Sequence, residues 1–148
     1  MTTRFLGVLE NVVVEVPLDH DDVESDSFRV RATEVQLVDR VEGAQLDGRL
    51  PYAADESADC PIVQVQFDQR GVKLVNRAGE VLERLPLHKV AQAVSYDAAR
   101  EGRWNVILKV GSVQSQCSCY LLQCLSKAEA DGIVDALAKV FDEAKRKK

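Results

Sequence analysis

The C-terminal stretch restricts the architecture more than any other part of the chain. Ser126, Lys127, Ala128 and Glu129 form a capping box, in which the serine caps the first helical turn and the glutamate reaches back. Behind it, Ala130, Ile133, Val134, Leu137, Val140 and Phe141 recur at helical spacing and make one apolar stripe. A helix with a single stripe has to bury it against another layer, so the rest of the chain must supply a surface. The helix runs out into Lys-Arg-Lys-Lys, cations that suit the negative end of its dipole. Such a run ordinarily serves as a solvated end, with membrane contact or nuclear import as lesser uses.

The preceding residues change period from helical to two. Val63, Val65 and Phe67 alternate with Gln64, Gln66 and Asp68, the pattern of a half-buried strand. "QRG" turns it into "GVKLVN", and "RAGE" turns that into "VLERLPLHKV", giving a three-strand antiparallel meander. The next strand ends near Tyr96, with Val90, Gln92, Val94 and Tyr96 on one face and Lys89, Ala91, Ala93 and Ser95 on the other. That second face is small enough for a helix or a partner's backbone to come close. "WNVILKV" and "CSCYLLQCL" complete this run of strands, and Arg4 to Val16 reads as the first strand of the chain. Between the first strand and the meander, a helix from about Phe28 to Gln45 places Phe28, Ala32, Val35, Val38 and Val41 inward. The expectation is one α+β domain over residues 1–148, with seven antiparallel strands in a bent sandwich or partly open barrel. Its terminal helix packs across one open end. This is the pleckstrin-homology-like layout, and the helix after the first strand favours the phosphotyrosine-binding (PTB) subclass.

With 148 residues the chain is long enough for one real core, and its net charge of −5 disfavours a nucleic-acid footprint. No apolar run approaches the length of a membrane span. Cys117 and Cys119 point the same way from one strand and Cys124 points the other way; with Cys60 they read as reduced, partly buried thiols of a cytosolic protein. Asp19, His20, Asp21 and Asp22 crowd one acidic loop, yet it lacks the glycine and ligand spacing of a calcium site. His88 has no nucleophile or phosphate loop in its sequence context, so neither catalysis nor a cofactor or metal is expected.

Several stretches resemble a known family. "GVKLVNRAGEVLERLPLHKVAQAVSYD" is similar to the central strands of PTB domains, and "CYLLQCLSKAEADGIVDALAKVFDEA" to their last strand and helix. "AQLDGRLPY" (44–52), "VSYDAA" and "LLQCLSKAEA" resemble segments of the integrin cytoplasmic-domain-associated proteins, the integrin β1-binding adaptors. The likeness extends from "FLGVLE" to "VFDEA" and rests on the order of weak motifs. The family's serine-rich basic tail is not expected before the first strand here, where only Met1 to Thr3 precede Arg4.

What the resemblance implies is an adaptor without chemistry of its own. A cytoplasmic tail peptide of NPxY type, from an integrin β subunit foremost and with an unphosphorylated tyrosine, adds a strand to the fifth strand beside the C-terminal helix. Leu87, Val90, Ala91 and Ala93 then line the groove on the strand side, and Ala136, Val140 and Phe141 on the helix side. Ala91 is smaller than the residue expected there. A second partner is implied, the ankyrin-repeat FERM scaffold of the cavernous-malformation pathway. Its arginine-rich segment docks at Glu42, with Asp39 and Asp47 assisting. The expected location is cytoplasmic, with the nucleus as a further possibility. The alternative is a pleckstrin-like phosphoinositide or membrane-binding module, for which Arg70, Lys73, Arg77, Arg100 and Arg103 would have to gather at one mouth.

Overall fold

β-Branched and apolar residues at alternate positions build seven strands: β1 (Thr2–Val13), β2 (Ile62–Asp68), β3 (Gly71–Asn76), β4 (Val81–Pro86), β5 (Val90–Arg100), β6 (Arg103–Val113) and β7 (Gln116–Cys124). Two helices, α1 (Ser25–Leu46) and α2 (Lys127–Arg146), complete the chain. The computed structural model describes residues 2–13, 25–52, 60–100, 102–113 and 116–146, without the side chains of 25–32, 100, 112, 113 and 146. The strands pair antiparallel in the order β4-β3-β2-β1-β7-β6-β5, so β4 and β5 are the two edges of one open sheet. The fold is α+β and has the PH-like, PTB-like layout.

β1 joins the two halves of the sheet. Its first residues pair with β2 and the remainder with β7, with a register irregularity between Phe5 and Gly7. Gly7 has a φ of +136°, and a Cβ there would press on the Leu50 side chain at 3.1 Å. The half made of β5, β6, β7 and β1 is buried on both faces. Leu6, Leu9, Val94, Ile107, Cys119 and Leu121 face Leu37, Val41 and Ala44 of α1. Val106, Leu108 and Leu122 face the other way, towards Ala130, Ile133 and Leu137 of α2 and the inner side of β2 and β3. That explains the cysteines: Cys117 and Cys119 lie in the α1 layer and Cys124 in the α2 layer. All four are buried and outside any disulfide, and burial pushes the Cys119 thiol up to about 12.

Four expectations need correction or limits. "VLERLPLHKV" is not one strand: β4 stops at Pro86, which has no N–H to continue the ladder, and Leu87–Lys89 forms a 3-10 turn. α1 keeps Val41 inward, with Val38 packed against the core, but not the whole expected stripe. Val35 is 60% exposed, while Thr33, Leu37, Val41 and Ala44 are buried at steps of four, four and three. The side chains of Phe28 and Ala32 lie outside the described residues, as do Val14 to Val16 and the acidic loop with Asp19, His20, Asp21 and Asp22. β5 does not alternate cleanly either. A register shift between Val90 and Gln92 sends Val90 and Ala93 to the α2 layer and Val94 and Tyr96 to the α1 layer.

Candidate functional site

α2 is fixed beside β5 from both ends. At its start Ser126 Oγ accepts from the Glu129 N–H at 3.2 Å, and Glu129 Oε2 accepts from the Leu125 N–H at 3.0 Å. Lys127 Nζ sits 5.6 Å from the centre of the Trp104 ring on β6. Trp104 pairs with Asp97, late in β5, whereas the other end of α2 reaches Leu87 and His88, just before β5 begins. The helix therefore runs antiparallel to the edge strand and packs against it.

The corner at the start of β5 is built from backbone. Asp68 Oδ1 accepts from the N–H groups of Arg70 and Gly71 at 2.7 and 3.2 Å, closing the β2–β3 turn. The Arg70 carbonyl then accepts from the Leu87 N–H at 2.9 Å. Gly71, at φ +141°, makes this approach possible, because a Cβ there would run into the Leu85 carbonyl and come within 2.8 Å of the Leu87 nitrogen. Beside this corner opens a pocket of about 630 Å³, lined by Gln69, Arg70, Pro86, Leu87, His88, Phe141, Ala144 and Lys145.

The residues named from sequence for the groove differ in exposure. Leu87, Ala93 and Phe141 are half-buried against the α2-side core, and Ala136 is half-buried. Ala91, at the register shift, is exposed. Val90 and Val140 are buried, Val90 at 4% exposure, so Val90 belongs to the core as much as to any groove. The basic pocket beside them was not legible locally, because its lining comes from three separate segments.

The acidic residues at α1 stand apart from the groove. Asp39 and Glu42 are exposed and three residues apart, on one face of the helix. Asp47 is already engaged: Arg49 Nε lies 3.0 Å from each of its oxygens and Nη2 lies 2.9 Å from Oδ2. That hydrogen-bonded guanidinium lowers the Asp47 pKa and keeps the carboxylate ionised. Glu42 also makes itself felt at Tyr96, whose pKa rises to about 12, first through burial and then through nearby charges including Glu42, against the hydrogen bond from Asn105. Asn105 belongs to a buried polar group that sequence reading missed: Gln123 Nε2 donates to Asn105 Oδ1 at 3.2 Å and to the Tyr52 carbonyl at 3.4 Å. It ties the segment after α1 to the sheet.

Of the candidate lipid-binding cations, Arg70 and Arg77 stand at opposite ends of β3, roughly 20 Å apart along the strand. Arg103 opens β6 and donates to Gln123 Oε1 at 3.3 Å.

The family model described as beta-1 integrin binding protein matches residues 21–147. The chain belongs to that family. The match takes in α1, the strands from β2 to β7 and α2. No curated protein matches the chain. The family is one of binding proteins, in keeping with a site made of an open strand edge and a helix. Among the described residues no helix is long and apolar enough to cross a membrane, and no group of His, Cys, Asp and Glu is arranged to hold a metal.

Proposed function

We propose that the chain is a non-catalytic adaptor that captures NPxY-type cytoplasmic tail peptides, those of integrin β subunits foremost, by strand addition to β5 against α2. The observation that carries this reading is an eleven-residue edge strand with an antiparallel helix beside it. Unpaired N–H and C=O groups of the edge supply main-chain hydrogen bonds, and side chains of the bound strand settle between Leu87, Ala93, Ala136 and Phe141. Family membership supports the integrin tail as ligand. Such a ligand requires a cytoplasmic location.

Calorimetric titration with an NPxY peptide tests the reading. Leu87→Ala and Ala136→Lys should each weaken binding by roughly 1–2 kcal/mol, with little change in melting temperature. Affinity retained in both variants would remove the peptide from this groove. Val90→Ala is a poor probe, since its core position mixes stability into the result.

The exposed pair Asp39 and Glu42 supports a second contact, with the arginine-rich segment of the ankyrin-repeat FERM scaffold of the cavernous-malformation pathway. Guanidinium forks fit carboxylates bidentately. Glu42→Arg should weaken a peptide carrying both the basic segment and NPxY, and spare one carrying NPxY alone. Equal losses would signal damage to the fold, and no loss would assign the pair to the solvent.

A further inference from the structure

The corner at the start of β5 carries charge that strand addition does not use. The exposed side chains of Arg70, His88 and Lys145 rim its pocket, over apolar walls and with no carboxylate in the lining. On the far side of Arg70 a hollow of about 160 Å³ adds Lys73 and Arg84. These two stand directly opposite each other in the β3–β4 ladder, where like charges destabilise a sheet. Asp68 also lines the hollow, but its Oδ1 already accepts from the N–H groups of Arg70 and Gly71. None of these basic side chains joins an ion pair among the described residues, in a chain whose net charge is −5. Lys145 suits the negative end of α2, which does not account for Lys73 and Arg84.

We propose that this corner reads acidic side chains that directly follow the NPxY motif of the captured tail. The proposal rests on the groove reading above and adds a sequence requirement beyond the motif. A tail segment added antiparallel to β5, as β6 is on its other side, brings its C-terminal end to this corner. Asn-Pro breaks such a ladder, because proline has no N–H to donate and the pair favours a turn. The residues after the motif therefore leave over Arg70. Apolar walls suit the uncharged tyrosine ring, which leaves the rim to the first acidic residue and the Lys73–Arg84 hollow to the next. Arginine forks fit carboxylates bidentately, and an anion in the hollow relieves the repulsion across the ladder. A lipid headgroup would use the cations and leave the apolar walls empty, so the wall chemistry favours a peptide.

The test titrates three C-terminally amidated NPxY peptides against the full chain, with the motif followed by Glu-Glu, Gln-Gln or Lys-Lys. The Glu-Glu peptide should bind about fivefold tighter than the Gln-Gln peptide, the scale of exposed charge pairing, and the Lys-Lys peptide should bind weakest. The double variant Arg70→Glu with Arg84→Glu should reverse that order, a gain for Lys-Lys that misfolding cannot imitate. Equal affinities of the Glu-Glu and Gln-Gln peptides for the unaltered chain overturn the proposal, and so does an order that survives the double variant. If no NPxY peptide binds, the groove reading falls and a second measurement judges the corner by itself. Acetylated tetraglutamate amide and tetralysine amide are titrated while the amides of Arg70, Lys73 and His88 are followed by NMR. A response to tetraglutamate alone supports the corner, and equal responses or none overturn it. Co-sedimentation with phosphatidylserine vesicles that the double variant loses, while the three peptides bind alike, assigns the cations to a membrane surface and also overturns the proposal.

Discussion

β4 and β5 end the same sheet, yet they meet solvent differently. β4 is six residues long, carries the exposed Val81 and Leu82 beside Glu83 and Arg84, and stops at Pro86. β5 is eleven residues long, and α2 lies against it. Both edges offer unpaired backbone groups, and those attract any extended chain. A short edge with charges and a proline discourages pairing, whereas a long one with a helical wall gives side chains somewhere to go. Hydrogen bonds make an edge sticky, and the wall makes it selective.

The comparison breaks most readily at the wall. Ile133, 1% exposed, anchors α2 in the core, and Ile133→Ala should cost about 2–5 kcal/mol in urea unfolding and weaken peptide binding as well. An unmoved midpoint would mean that α2 is held by something other than its stripe. Gly71→Ala comes next, at about 1–3 kcal/mol, since the added Cβ meets the backbone of Leu85 and Leu87 at a positive φ. Its amide shifts should concentrate at the β4–β5 corner, and shifts spread evenly over the sheet would refute that account. Ser126→Ala removes one cap and should cost about 0.5–2 kcal/mol. If it proves more damaging than Ile133→Ala in the same unfolding series, packing is not what holds the helix. Leu82→Lys, on the other edge, should change stability by no more than about 0.5 kcal/mol and leave peptide affinity alone. A loss of about tenfold would move the site to β4.

How much of this was legible follows from how local each signal is. The α2 stripe and its capping box lie within one stretch, and both appear as expected. β2 was visible because burial on one face leaves a period of two, whereas β1, β6 and β7, buried on both faces, showed as apolar and β-branched runs. Around α1 the reading held for Val38 and Val41 and failed at Val35, because Thr33 is buried in its place and no hydropathy ranking puts a threonine inward while turning a valine outward. β5 failed for another reason. A single irregularity at Ala91 exchanges faces, and nothing in "KVAQAV" announces it. The basic pocket and the group around Asn105 and Gln123 assemble residues far apart in the chain, which only the topology brings together.

β1 has one more consequence, for the order in which the molecule is made. It pairs first with β2, through three residues only, and otherwise with β7 from Arg4↔Gln123 to Val13↔Gln116, roughly 100 residues downstream. At ribosomal speeds of about 5–20 residues per second, β1 waits some 5–20 s for most of its partner. During that interval "FLGVLENVV" is an unsatisfied apolar strand on a nascent chain. Its protection by a chaperone, or its aggregation without one, should govern the yield of this protein more than the stability of the finished sheet does.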